Sequence, residues 1–258
     1  PLVLFAHCSL GQAGLWKGVM AALAPRWRCV ALDLPGHGRT DRGDEELSLQ
    51  DQALADLAHF ARLMGNGRAH LVGLSLGGAI VGRAAARRPA MARSVTMIEP
   101  IMMHLLKDSP QDMTAENDAI MGPVVAACRE ARYEDGARAF MDGWGQPGQF
   151  ERFPPEAREA VGRAMRWVFA DFGMAHSWVD GQLTRAEIAG IEAPARLMQG
   201  ERTQASAKAV VGEVAKLVKG VEVREIAEAG HLSPVDKPKA VAAEIAEFLT
   251  AVEAAQAA

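Results

Sequence analysis

Short, wholly apolar runs alternate with longer amphipathic stretches along this chain. Leu2-Val-Leu-Phe-Ala6 and Cys29-Val-Ala-Leu-Asp33 are continuous rather than alternating, a pattern that fits strands buried on both faces. From Ser48 to Met64 the period changes. Leu49, Ala53, Leu57, Ala61 and Met64 recur at helical spacing, behind a Ser48-x-x-Asp51 capping box and ahead of Gly65-Asn-Gly67. His70-Leu-Val72 then predicts a strand, residues 76–87 a helix rich in small side chains, and Ser94 to Ile98 a further strand. The pattern resumes late in the chain, with a strand from Ala195 to Met198, a helix over about 206–218 and a strand from Val221 to Ile226. A final helix carries Val241, Ile245, Phe248 and Val252. This strand-helix-strand order predicts an α/β protein with a mostly parallel sheet flanked by helices.

The interval between the two halves has a different character. Trp144, Trp167 and Trp178 fall in it, with Phe140, Phe150, Phe153, Phe169, Phe172 and several methionines. Such a segment reads as an inserted helical cap, residues 100–190, over a core made of residues 1–99 and 191–258. Aromatic and Met side chains would then give a substrate pocket an adaptable apolar lining, with Met102, Trp144, Trp167 and Trp178 as its candidates. The competing reading is that these side chains only pack the insertion onto the sheet.

Composition narrows the partners. A chain of 258 residues suits one domain with an elaborated insertion. Cys8, Cys29 and Cys128 form no CxxC pair, which implies neither a disulfide framework nor a zinc site and points to a reducing compartment. The net charge of -4 is mild and the basic residues are scattered, so no nucleic-acid or anionic-membrane surface is expected. No apolar run approaches the roughly 20 residues that span a bilayer. The chain opens on Pro1 rather than methionine, as a truncated one would. A cytoplasmic location and a small-molecule partner are the expectations, and the oligomeric state is open.

The candidate chemistry begins at Gly73-x-Ser75-x-Gly77, between a predicted strand and a predicted helix. Glycines two residues either side of the serine suit a turn too tight for flanking side chains. Ser75 Oγ would stand at the C-terminal edge of the sheet, beside a helix N-terminus that favours developing negative charge. Among seven histidines, His231 in "AEAGHLSP" lies just past a strand, in a loop on the same edge, and is the candidate base.

In "LFAHCS" at 4–9, "DLPGHGRTD" at 33–41, "GLSLGG" at 73–78 and "AGH" at 229–231, the chain resembles the α/β-hydrolase fold family over nearly its whole length. The resemblance is closest to the capped esterase, lactonase and carbon–carbon hydrolase branch. It implies Ser75 as nucleophile, His231 as base, and the backbone N–H groups of Leu76 and Ser9 as an oxyanion hole, with no cofactor and no metal. His7 and Cys8 would border the pocket. The family usually reads His-Gly where this chain has His7-Cys8, and "LPGHG" reads as a shaping turn despite His37.

The resemblance also exposes a gap. The family's acid often lies three residues after a glycine, and here that position is Thr203. Glu201, Asp236 and Glu99 are the alternatives. Glu99 is favoured because it ends the strand after the Ser75 unit, and neighbouring parallel strands converge at the active-site edge. The expected activity is cleavage of a small ester or lactone through an acyl-serine intermediate. A carbon–carbon hydrolase, an acyl-homoserine lactonase and a hydrolase-like binding protein with little turnover are the rivals. Ser75 argues against the aspartate-nucleophile dehalogenase and epoxide-hydrolase branches. No GxGxxG follows the first strand, which argues against a dinucleotide-binding oxidoreductase.

Overall fold

The computed structural model of the chain describes residues 1–107, 114–171 and 182–257. Six strands form one wholly parallel sheet: β1 (Leu2–Ala6), β2 (Arg28–Leu32), β3 (Ala69–Leu74), β4 (Ala92–Ile98), β5 (Ala195–Gly200) and β6 (Glu222–Ile226). Their spatial order is β2-β1-β3-β4-β5-β6, which places β3 and β4 at the centre. Successive side chains on a strand point to opposite faces, and both faces are covered. Leu2, Leu4, Leu71, Val95, Met97 and Leu197 pack in one core, whereas Val3, Phe5, Val72, Leu74, Ile98 and Met198 pack in the other.

Helices α1 (Lys17–Leu23) and α10 (Pro238–Ala257) pack together, with the short α9 (Ser233–Asp236) against both, and supply Val19, Leu23, Val241 and Ile245 to the second core. Helices α2 (Leu49–Gly65), α3 (Leu76–Arg87) and α8 (Ala205–Leu217) contribute to the first. The Ser48 hydroxyl accepts the Asp51 N–H at the start of α2, and Asn66 closes its end in the left-handed conformation, φ 52°. One strand differs from the expected burial, and another shares its cause. Residues 29–33 read as buried on both faces, but β2 is half-buried, and β6 is largely exposed, because both are edge strands with a neighbour on one side only.

Between β4 and β5 run α4 (Thr114–Arg129), α5 (Tyr133–Trp144), α6 (Pro155–Asp171) and the short α7 (Arg185–Ala189), which packs on α3 and α8. Helices α4, α5 and α6 pack on one another, and side chains tie them to the rest of the molecule. Glu116 in α4 accepts the backbone N–H groups of Ala205 (3.2 Å) and Ser206 (2.6 Å), the first turn of α8. Asp171, the last residue of α6, accepts the N–H of Leu49 (2.6 Å), the first of α2. Each carboxylate therefore satisfies helix-start donors that have no partner within their own helix. No helix among the described residues is long and apolar enough to cross a membrane.

Candidate active site

Ser75 stands one residue past β3 and immediately before α3, with φ 56° and ψ -112°. A non-glycine residue in that region costs roughly 1–3 kcal/mol and persists only where its surroundings over-determine it. Here they do. The Ser75 N–H donates to the Ile98 carbonyl (2.9 Å), the Gly77 N–H to the His7 carbonyl (3.0 Å) and the Ala79 N–H to the Ser75 carbonyl (3.0 Å). The flanking glycines are a steric necessity: a Cβ on Gly73 would collide with the Gly77 carbonyl, and one on Gly77 with the Ala6 carbonyl.

Glu99 follows β4 as Ser75 follows β3, since Leu74 is in register with Ile98. It too has positive φ, 42°, and its N–H donates to the Met198 carbonyl (3.0 Å). The side chain is fully buried. Its Oε1 accepts the Gly200 N–H (2.7 Å), and its Oε2 accepts the Thr203 hydroxyl (2.7 Å). The same Oε2 lies 2.5 Å from His231 Nδ1. A carboxylate partner fixes the proton on Nδ1, which leaves Nε2 as the acceptor. The other two carboxylates are engaged elsewhere: Glu201 accepts the Glu228 N–H (2.6 Å) and Asp236 faces the Gly230 N–H (3.4 Å). Thr203, which in the sequence marks only a missing acid, is thus hydrogen-bonded to Glu99.

Ser75 and His231 line one cavity of about 340 Å³, together with Cys8, Ser9, Phe140 and Trp144. The Trp144 and His231 ring centroids are 5.0 Å apart, with the planes tilted by 51°. Cys8 needs no special backbone, because the left-handed residue of its loop is Leu10, φ 60°, and the Gly11 N–H closes the turn on the Cys8 carbonyl (3.0 Å). Burial pushes the Cys8 thiol up to about 12, so it stays protonated and is no nucleophile at neutral pH.

Three expected pocket residues do other work. His7 is fully buried beneath the cavity wall: its Nε2 accepts the Leu34 N–H (2.9 Å) and its Nδ1 donates to the Cys8 carbonyl (2.7 Å). Burial, with the neighbouring His37 adding to it, lowers its pKa to about 3 and keeps it neutral. Met102 lies in the first core, where its methyl would touch a Cβ added to Gly82 (3.0 Å). Trp167 lies against Gly36, whose added Cβ would meet its ring at 2.7 Å, and the Arg42 and Arg166 guanidinium groups stand over that ring at 5.7 and 4.7 Å. Trp167 therefore docks α6 on the "LPGHG" turn instead of lining the cavity. Trp178, with Phe172 and His176, lies outside the described residues. Sequence reasoning missed Met141, Gln149 and Leu232 as lining residues; the amphipathic pattern of α5 is a signal that could have found the first.

A tight strand-to-helix turn bearing a serine, with a histidine–carboxylate pair at the same edge of a parallel sheet, is an arrangement suited to hydrolysis. The chain belongs to the alpha/beta hydrolase family, whose family model matches residues 3–244. It is 25% identical over 260 residues to Carboxylesterase YbfK of Bacillus subtilis (strain 168), a match covering 96% of this chain and 80% of that one. It is 32% identical over 142 residues to the 2-(acetamidomethylene)succinate hydrolase of Mesorhizobium japonicum, which takes in 55% of this chain and only 45% of that relative. In structure it resembles the enol-lactonase from Burkholderia xenovorans LB400, with a TM-score of 0.73 and 21% identity over 97% of this chain and 91% of that one. That likeness is one of fold.

Proposed function

We propose that this chain is a serine hydrolase that cleaves a small ester or lactone, with the helices between β4 and β5 acting as a cap over the pocket. Ser75 Oγ attacks the carbonyl carbon while His231 Nε2 takes its proton, and Glu99 steadies the resulting imidazolium. The N–H groups of Leu76 and Ser9 receive the charge that develops on the carbonyl oxygen. Collapse breaks the bond to the alcohol oxygen, which leaves with the proton from His231. Water then repeats the sequence on the acyl-serine and releases the acid.

The observation that carries this reading is the 2.5 Å contact between Glu99 Oε2 and His231 Nδ1, beside a cavity that His231 shares with Ser75. It also weighs against a hydrolase-like binding protein, in which nothing would maintain a buried, strained carboxylate against a histidine. The test is the rate at which a fluorophosphonate labels Ser75 in the wild type and in Glu99→Gln. Fast labelling of the wild type, slowed about 100-fold or more in a folded glutamine variant, is expected, because removal of a triad acid costs orders of magnitude. Equal fast rates would make Glu99 structural. A wild type that hardly labels would favour the binding protein.

A further inference from the structure

The C-terminal end of α5 touches the histidine loop and a neighbour of the acid at once. Trp144, the last residue of α5, places its ring centroid 5.0 Å from that of His231. One residue on, a Cβ added to Gly145 would meet Leu232 Cδ1 at 3.7 Å, so the backbone here also lies against the residue after the histidine. The Gly143 carbonyl, among the last four of α5 and so without a partner inside the helix, accepts the Gln204 side-chain N–H (2.7 Å). Gln204 in turn follows Thr203, whose hydroxyl donates to Glu99 Oε2 (2.7 Å). These contacts close a ring that runs from Glu99 to His231, to Trp144, along α5 to Gln204, and through the chain to Thr203 and back.

Gln204 can reach α5 because it does not cap its own helix. It stands at the N-cap of α8 yet makes no side-chain cap hydrogen bond, and Glu116 of α4 accepts the first N–H groups of α8 instead. The start of α8 therefore takes an acceptor from α4 and gives a donor to α5. Those two helices are themselves tightly joined at this point, since a Cβ added to Gly143 would collide with Ile120 Cγ2 at 2.5 Å. One hydroxyl proton cannot serve both Glu99 and the Gln204 Oε1 that lies 3.1 Å from the Thr203 oxygen, so the link from 203 to 204 is the chain itself.

A carboxylate on Nδ1 fixes the tautomer of the imidazole but leaves its plane loosely held, because the torsion about the Cβ–Cγ bond of histidine is broad. A ring that swings carries Nε2 away from the serine, and a misplacement of 1 Å can cost about 100-fold in rate. A second hold on the ring is therefore worth having. We propose that the end of α5 is a positioning element for the catalytic pair: Gln204 seats it, Trp144 holds the plane of the His231 ring, and the site turns over at full rate only with α5 in place. This rests on the hydrolase reading above. It makes the helices between β4 and β5 responsible for rate as well as for the shape of the pocket.

Gln204 is not among the residues that line the cavity, so its loss removes no contact with substrate. Gln204→Met keeps the length of the side chain and removes the donor. With p-nitrophenyl acetate as the ester, kcat should fall about 3- to 10-fold, the worth of one hydrogen bond, while KM stays within about twofold. Trp144→Leu should lower kcat at least as far, and Trp144→Phe, which restores an aromatic ring, should recover most of it. Combining Gln204→Met with Trp144→Leu should slow the enzyme no further than Trp144→Leu alone, because both act through one ring. A wild-type kcat in folded Gln204→Met, or two effects that multiply, would overturn the proposal. The low-field proton resonance of His231 Nδ1–H, identified by its loss in His231→Gln, gives a reading independent of turnover. It should exchange with solvent faster in Gln204→Met and in Trp144→Leu than in the wild type, and unchanged exchange would refute the hold on the ring. Fluorophosphonate labelling separates this failure from that of the hydrolase reading. Wild type and Gln204→Met labelled equally fast leave the hydrolase and remove the role of α5, whereas a wild type that hardly labels removes both.

Discussion

Glu99 Oε2 serves two donors at once, the Thr203 hydroxyl and His231 Nδ1. On the proposed mechanism Thr203 would act through Glu99 as a positioning residue, its hydroxyl restricting the carboxylate. Thr203→Val keeps the shape and removes the donor. We expect kcat for ester hydrolysis to fall about tenfold, the worth of one hydrogen bond to a charged group, with KM nearly unchanged and with Thr203→Ser restoring the rate. A purely structural role would instead lower thermal stability and leave kcat alone. Ser75 and His231 could be singled out from local pattern, because tight-turn glycines and a strand-end loop are written in consecutive residues. The partner of His231 needs more than local pattern, because 132 residues separate the pair; strand order favours Glu99 over Glu201 and Asp236, and strand register brings it to the histidine. The tryptophans show the same limit. Composition marks Trp144 and Trp167 alike, yet one faces the cavity and the other clamps a turn, a distinction made by helix orientation.

At the scale of elements, the helices between β4 and β5 are fastened by helix starts. Glu116 and Asp171 reach out of α4 and α6 to donors at the first turns of α8 and α2. Losing such a cap costs about 1 kcal/mol, or about 2–4 °C in Tm for a chain of this size. Asp171→Ala should therefore lower Tm by that amount and speed hydrogen exchange in α6, while exchange in α3 stays slow. Equal acceleration throughout would mean that the contact is diffuse and no fastening exists. Most elements were legible because buried strands of a parallel sheet are uninterrupted apolar runs and α2 carries its own cap. The places where reading failed are physical too. An apolar run identifies a strand without saying whether it lies at the sheet's centre or its edge, as β2 shows. The short α1 has no side-chain cap to announce it.

For the whole molecule, three buried histidines set a limit on the acid side. Burial is the first cause in each case. It lowers His7 from 6.5 to about 3, His37 to about 4 despite the nearby Asp33, and His70 to about 4 despite Glu253. In the unfolded chain they titrate near 6.5, so between that pH and about 4 the unfolded state binds more protons than the folded one. Stability conferred by the neutral rings is complete above 6.5 and is lost as the pH falls, at up to ~1.4 kcal/mol per pH unit for each ring. Melting followed by circular dichroism from pH 7.5 to 4.5 should show Tm falling steadily below 6.5, and His70→Gln, which removes one titrating ring, should flatten the slope. A Tm independent of pH across that window would contradict the buried, neutral state of these rings.

The seat of the carboxylate is a location in space shared by two strand ends. Glu99 past β4 fills it, and the Thr203 hydroxyl past β5 touches the same oxygen. Moving a carboxylate between the two positions one substitution at a time therefore passes through one of only two intermediate forms. In one, both positions are acidic and two carboxylates crowd together, so that one must hold a proton and its pKa rises sharply. In the other, neither is acidic and the histidine has no charged partner. Both are handicapped, so the carboxylate can be exchanged between the two strand ends without loss only when both residues change together.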